Sequence, residues 1–328
     1  MKLRARAAAG AAALVAYAFV AVIVGDASAK VGRRVATGVH VPAIGSTGMP
    51  AVESLEKALG HRFSIVHIYV QWSSGGDRAL ADAIALVPAS RTALVTWEPW
   101  RPPSDYTPVP GRAGVRQKYG LEAISAGAFD AYIRANAQSI ASLPRVVYLR
   151  PMHEMNGTWY PWSAGPNGDK SGTYRRAWRH LRRLFAEEGA TNVRWVFSVN
   201  AEDVPRTNRF QSYYPGKRHV DVLAVDGYNW GGGASPSSGG WRSFDAIFGD
   251  AYRRLLKLGD QPVWLTEVAS ATEGGDKAAW IRDAFAQLRT RRYARVAAVI
   301  WFNAEKERDW RLESSRESLR AFAAATRG

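Results

Sequence analysis

The 328-residue sequence predicts an α/β fold, a single closed (β/α)8 barrel. Eight short runs dense in Val, Ile and Leu recur along the chain, helix-like stretches separate them, and together they fill the length that such a barrel needs, about 250 residues. Parallel strands buried on both faces read as near-continuous apolar runs, and helices between them cover the sheet. An open doubly wound sheet is the rival. No run is followed by GxGxxG, however, and eight units close a TIM barrel without remainder.

The elements follow in order. Residues 1–29 carry a basic start, an apolar run from Ala7 to Val24 and the small-residue pattern Ala27-Ser28-Ala29, as in a secretory signal cleaved before Lys30. A retained membrane anchor is the alternative, since the run is near the lower limit for a spanning helix. Residues 30–328 then form one domain. The strand runs are "VATGVHV" (35–41), "FSIVHIYV" (63–70), "TALVTWE" (92–98), "RVVYLRPM" (145–152), "VRWVFSV" (193–199), "VDVLAVD" (220–226), "PVWLTEV" (262–268) and "RVAAVIWF" (295–302). Helices are expected over Ala51 to Leu59, Gly127 to Ile140, Ser171 to Glu188, Phe244 to Leu258, Asp276 to Leu288 and Ser314 to Ala325. Long stretches at 99–125, 155–170, 200–219 and 229–241, rich in Pro, Gly, Ser and aromatics, are expected to wall a cleft.

Composition narrows the chemistry. The chain has no Cys, which excludes disulfides, thiolate catalysis and cysteine metal sites. A formal charge of +15 favours acidic partners, an acidic cell-envelope polymer among them. The Arg residues are scattered through helix-like segments rather than gathered in one aromatic-interleaved stripe, so no specific nucleic acid is expected. An exported chain is expected to be secreted or to stay in the cell envelope.

In a (β/α)8 barrel the chemistry sits at the C-terminal ends of the strands. Here those ends read "YVQW", "TWEPW", "RPMHEMNG", "SVNAED", "AVDGYNW", "LTEVA" and "WFNAE", dense in carboxylates, amides and aromatics. Glu154 lies just beyond the fourth strand and Glu267 at the end of the seventh, so the two face each other across the mouth. Two opposed carboxyl groups are the minimal equipment for cleaving a glycosidic bond. Tyr228, after the neighbouring sixth strand, can donate to Glu267 and keep it ionised for attack; Glu154, beside His153 and among Trp159, Tyr160 and Trp162, is desolvated and suited to acid catalysis. Glu154 is thus the expected acid/base and Glu267 the expected nucleophile. The plainer alternatives are a loop carboxylate paired with Arg150 for the first and a helix cap for the second, while Asp226, before a glycine, can fasten a turn or touch ligand. "HEMNG" is not a zinc motif, because Gly157 stands where the second His is required.

Thirteen Trp residues exceed what one core uses. Trp72, Trp97, Trp100, Trp159, Trp162, Trp230 and Trp301 fall at strand ends or in adjoining loops, where indole faces suit sugar rings. Packing in the barrel is the alternative for several, Trp97 and Trp264 in particular. Trp301, followed by Asn303 and Glu305, is the expected stacking floor near the scissile bond.

"RPMHEMNGTWYPW", with "DGYNW", "LTEVA" and "WFN", resembles glycoside hydrolase family 26, the β-mannanase family of the retaining (β/α)8 glycosidases, from about Ala36 to Ala325. The His-Glu-x-Asn-Gly block is the most specific part. By this resemblance Glu154 is similar to the acid/base and Glu267 to the nucleophile. His153 resembles an imidazole that positions sugar and acid/base, Tyr228 the tyrosine that holds the nucleophile, and Trp159 and Trp301 aromatic subsite linings. Asn156 and Arg150 support the block. The chain reads "YPWS" after the acid/base block and "EVAS" where "EFG" is usual, departures that bear on sugar specificity. The resemblance implies an endo-β-1,4-mannanase, with mixed-linkage β-1,3/1,4-glucan as the alternative substrate, a carboxyl separation of about 5 to 5.5 Å, and no cofactor or metal. A non-catalytic carbohydrate-binding or envelope protein on the same barrel is the competing class.

Overall fold

In the computed structural model, described over residues 35–73, 76–101, 119–163, 171–232 and 240–327, eight parallel strands close into a barrel. They are β1 (Ala36–His40), β2 (Ile65–Gln71), β3 (Thr92–Glu98), β4 (Val147–Pro151), β5 (Val193–Asn200), β6 (Val222–Asn229), β7 (Val263–Ser270) and β8 (Val296–Phe302). β1 closes on β8 through five paired residues, Ala36 with Ala298 to His40 with Phe302. Every expected strand forms. The signal or anchor at 1–29 lies outside the described residues, as do parts of the expected cleft walls, 102–118, 164–170 and 233–239. No helix among the described residues is long and apolar enough to cross a membrane.

Helices α2 (Pro50–Leu59), α5 (Asp130–Ala141), α6 (Ser171–Glu187), α7 (Phe244–Leu255), α8 (Lys277–Leu288) and α9 (Arg316–Arg327) occupy the six expected places; α1 (Ile44–Thr47), α3 (Ala79–Ala85) and α4 (Leu121–Ser125) are short additions. Local caps start two of them: Ser243 accepts from Ala246 N, and Asp276 from Ala279 N. α3 instead takes its N-terminal acceptor from afar, Asn136 Oδ1 receiving Leu80 N at 3.0 Å, so its start has no nearby sequence signature. Between β5 and β6 no α-helix forms among the described residues; two 3-10 turns, Phe210–Tyr213 and Lys217–His219, make that crossover.

The barrel interior follows the two-residue period of its strands. At the strand starts Ile65, Leu94, Tyr148, Val196, Val222, Trp264, Ala298 and Ile300 form an apolar plug, with Tyr148 and Trp264 stacked 4.4 Å apart. Gly38 faces this plug because a Cβ there would lie 2.8 Å from that of Ile65. Further along β2 to β6 the interior turns polar: His67, Thr96, Arg150, Ser198 and Asp226 are all fully buried. The outer faces of the same strands, with the helices, carry the main core.

β7 breaks the alternation. Val225 pairs with Leu265 and Asp226 with Glu267, leaving Thr266 as an extra residue in a bulge. With Trp264 and Thr266 inward, strict alternation would send Glu267 outward; after the bulge both Thr266 and Glu267 point into the barrel. Thr266 donates to Asp226 at 2.7 Å, while Glu267 meets Arg150.

Candidate active site

Arg150 is the centre of the polar layer. Its guanidinium is fully buried, donates from Nε to Thr96 at 2.6 Å, pairs with Asp226 at 2.8 Å, and pairs with Glu267 Oε1. Asp226 is thus neither a turn fastener nor a ligand contact. It is a counter-charge inside the barrel, held also by Ser198 and Thr266. The alternative that paired Arg150 with Glu154 fails for the same reason: that guanidinium serves the other two carboxylates. Removing the charge from such a network leaves uncompensated carboxylates in a low dielectric.

Glu267 lies inside β7, which runs on to Ser270, and α8 is capped by Asp276; the capping alternative for Glu267 is therefore excluded. Tyr228 donates to Glu267 Oε2, as expected, and Tyr69 of β2 donates to Oε1, a partner the sequence reading missed. Burial by itself would push this carboxyl up, but Arg150, with the two phenols, outweighs it and holds the group down at about 2. Burial raises both phenols well above their ordinary range, so they remain donors at any working pH.

Glu154 sits just past β4 in a strained turn. Met152 and Glu154 have φ of 49° and 51°, the left-handed region that non-glycine residues avoid, at a cost on the order of 1 kcal/mol each. The turn is fastened from outside: Met152 N donates to Trp97 O, Tyr174 Oη donates to Met152 O, and Glu154 N donates to Ser198 O at 3.0 Å. The side chain accepts from Trp159 Nε1 at 2.7 Å and Asn200 Nδ2 at 3.1 Å. Burial, then the charge of Glu267, pushes the Glu154 carboxyl up to about 7, against the pull of those two donors. Asn156 supports it indirectly. Its amide donates to Asn200 O, Glu202 O and Asp203 and accepts from Asn200 N, which fixes the residue that holds Glu154.

His153 is buried, and burial holds its imidazole neutral; it meets Tyr160 Oη at 3.0 Å, and Tyr160 stacks on Trp162 at 4.5 Å. Of the seven expected platforms, Trp159 and Trp230 are half-buried beside the site. The other five are packed away. Trp72 and Trp97 pack together at 4.8 Å outside the barrel, with Tyr132 of α5. Trp162 is a buried strut donating to His153 O, and Trp100 is 7 % exposed, donating to Glu98.

Trp301 is the clearest correction. It is 1 % exposed, donates to Trp310 O, and packs against Trp280 and Phe322 on the outer face of β8. The adjoining Phe302 takes the inward place, stacked on His40 at 5.0 Å with Tyr69 and Tyr228 edge-on. Alternation counted from Ile300 would have found this. Asn303 is likewise no ligand contact; it accepts from Leu312 N and donates to Glu313, pinning the loop after β8. That loop brings Trp310 to 5.1 Å from both Tyr228 and Trp230.

Residues 128–282 match the profile of glycosyl hydrolase family 26. Endoglucanase H of Acetivibrio thermocellus is 38% identical over 277 residues, covering 84% of this chain and 29% of that protein. A mannan endo-1,4-beta-mannosidase A and B of Caldalkalibacillus mannanilyticus is 35% identical over 127 residues, 37% of this chain and 21% of that protein. The chain thus spans less than a third of the length of these relatives. A modular endo-beta-1,4-mannanase from Cellulomonas fimi shares the fold with a TM-score of 0.65 at 18% identity, covering 89% of this chain and 70% of that one. A β-mannanase from Bacteroides ovatus does so with a TM-score of 0.62 at 17% identity, covering 90% and 89%. Over residues 128–282, the chain belongs to glycosyl hydrolase family 26.

Proposed function

We propose that the chain is a retaining endo-β-1,4-glycanase whose first substrate is β-mannan. One observation carries the reading: two buried carboxyl groups at one barrel mouth are biased in opposite senses, Glu267 toward the anion and Glu154 toward the acid. In the first step Glu267 attacks the anomeric carbon while Glu154 protonates the departing glycosidic oxygen, giving a covalent glycosyl-enzyme. In the second, Glu154 takes a proton from water, the hydroxide displaces Glu267, and the sugar leaves with its configuration retained. Tyr69, Tyr228 and Arg150 keep the nucleophile charged and aimed; Trp159 and Asn200 aim the acid.

A glucose-configured β-glycan, including mixed-linkage β-1,3/1,4-glucan, is the second reading. What favours it is that the relative matching 84% of this chain is an endoglucanase, whereas the mannosidases match less than 40% of it. The export segment and the formal +15 support action outside the cell beside an acidic envelope polymer.

The test is a product assay on galactomannan, glucomannan and barley-type mixed-linkage glucan. Shortening of any of these by the wild type, lost in Glu267→Gln, is expected. A Glu154→Ala variant should give a glycosyl azide of retained configuration when azide is supplied. A chain that binds these glycans and cleaves none of them would be a carbohydrate-binding protein instead.

A further inference from the structure

A third carboxyl group faces the same cavity, and the catalytic scheme does not use it. Glu98 ends β3 one inward step beyond Thr96, as Gln71 ends β2 one inward step beyond Tyr69, and the two are register partners. Gln71 Nε2 donates to Glu98 Oε2 at 2.7 Å, and Trp100 Nε1 donates to the same oxygen at 3.2 Å. The other oxygen, Oε1, receives no hydrogen bond from the described residues. Glu98 feels the charges of Arg150 and Glu267, and Tyr160 feels that of Glu98, which places the group in the cavity of the acid/base pair. The residue is only 2 % exposed.

The undonated oxygen is not sealed from solvent, so it can meet a partner that arrives from the cleft. Pure packing would be served better by an apolar side chain. Burial pushes the group up to about 7, against the Gln71 and Trp100 donors, so in mildly acidic solution it is neutral and can both donate and accept a hydrogen bond. Neighbouring sugar hydroxyls ask for that combination.

We propose that Glu98, oriented by Gln71 and Trp100, is a substrate-binding residue whose free oxygen holds a hydroxyl of the bound β-glycan at the barrel mouth. The inference rests on the reading of the site as a glycanase. Trp100 is the splint for this contact and takes no part in it.

The experiment is calorimetric binding of β-1,4-mannopentaose and cellopentaose to the inactive Glu267→Gln chain, with Glu98→Ala or Glu98→Gln added. Removing one hydrogen bond to a buried carboxyl should weaken binding about ten- to hundredfold in Glu98→Ala. Glu98→Gln, which keeps a donor and an acceptor of the same shape, should stay within about threefold. Equal binding in Glu98→Ala and its parent, with melting temperatures matched, overturns the proposal. Hydrolysis of these glycans by the wild type is measured in parallel. Absent hydrolysis with a Glu98-dependent affinity would sink the glycanase reading alone; normal hydrolysis with Glu98-independent affinity would sink this inference alone; absence of both binding and hydrolysis would sink both.

Discussion

The alkaline limb of the pH profile offers the sharpest check on Glu154 as the acid. An acid catalyst must carry its proton, so activity is present below its pKa and lost as pH rises through it. That places the limb at about 7 in the wild type. Trp159 Nε1 donates to Glu154 at 2.7 Å, a bond that favours the charged form. Trp159→Phe deletes that donor while keeping a ring in place. A hydrogen bond to a charged group contributes about 1.5 to 3 kcal/mol, and roughly 1.4 kcal/mol corresponds to one pH unit. Asn200 remains as a second donor at 3.1 Å and water takes part of the vacated place, so the lower end of that range applies. The alkaline limb of kcat/KM should therefore move up by about one unit, to about 8. Asn200→Ala, which removes the other donor, should move it the same way. The assay is reducing-sugar release from a soluble β-glycan between pH 4 and 10, with circular dichroism across the same range. A folded Trp159→Phe enzyme whose limb stays put or moves to lower pH would refute Glu154 as the titrating acid.

Three further outcomes follow from the same geometry. Arg150→Met should destabilise the fold by about 3 to 5 kcal/mol in denaturant titration, because Asp226 and Glu267 would lose their shared counter-charge in the interior; a fully stable variant would count against the buried triad. Trp301→Ala should cost about 3 to 5 kcal/mol of stability while leaving KM within about twofold, measured below its melting temperature; the reverse pattern would restore Trp301 to the cleft. Glu154→Gly relieves a left-handed φ of 51° and removes a buried ionisable group, so the inactive variant should unfold at the same or a higher temperature, with a gain on the order of 1 kcal/mol; a markedly lower melting temperature would mean that the turn is not strained.

The eight strand runs were legible because parallel strands buried on both sides need continuous Val, Ile and Leu, and the six long helices because their apolar faces repeat along the chain. The placement of Glu154 and Glu267 at the barrel mouth was legible too, since strand ends carry a barrel's chemistry wherever the fold class is known. Asn200 was within reach, being the last residue of a strand whose end had already been noted. Glu98 was within reach as well, a strand-end carboxylate in "TWEPW"; Tyr69 was harder, because its partner Glu267 lies 198 residues away in the chain.

By itself the sequence determined that eight strands would close, that carboxylates and indoles would crowd one rim, and that no thiol would take part. The tertiary structure alone decided which of those groups meet. A side chain's direction in a strand depends on its register with two neighbours, and a one-residue bulge reverses it. That bulge turned Glu267 inward, ordinary alternation turned Trp301 outward, and Arg150 found Asp226 and Glu267 only because the barrel closed around it.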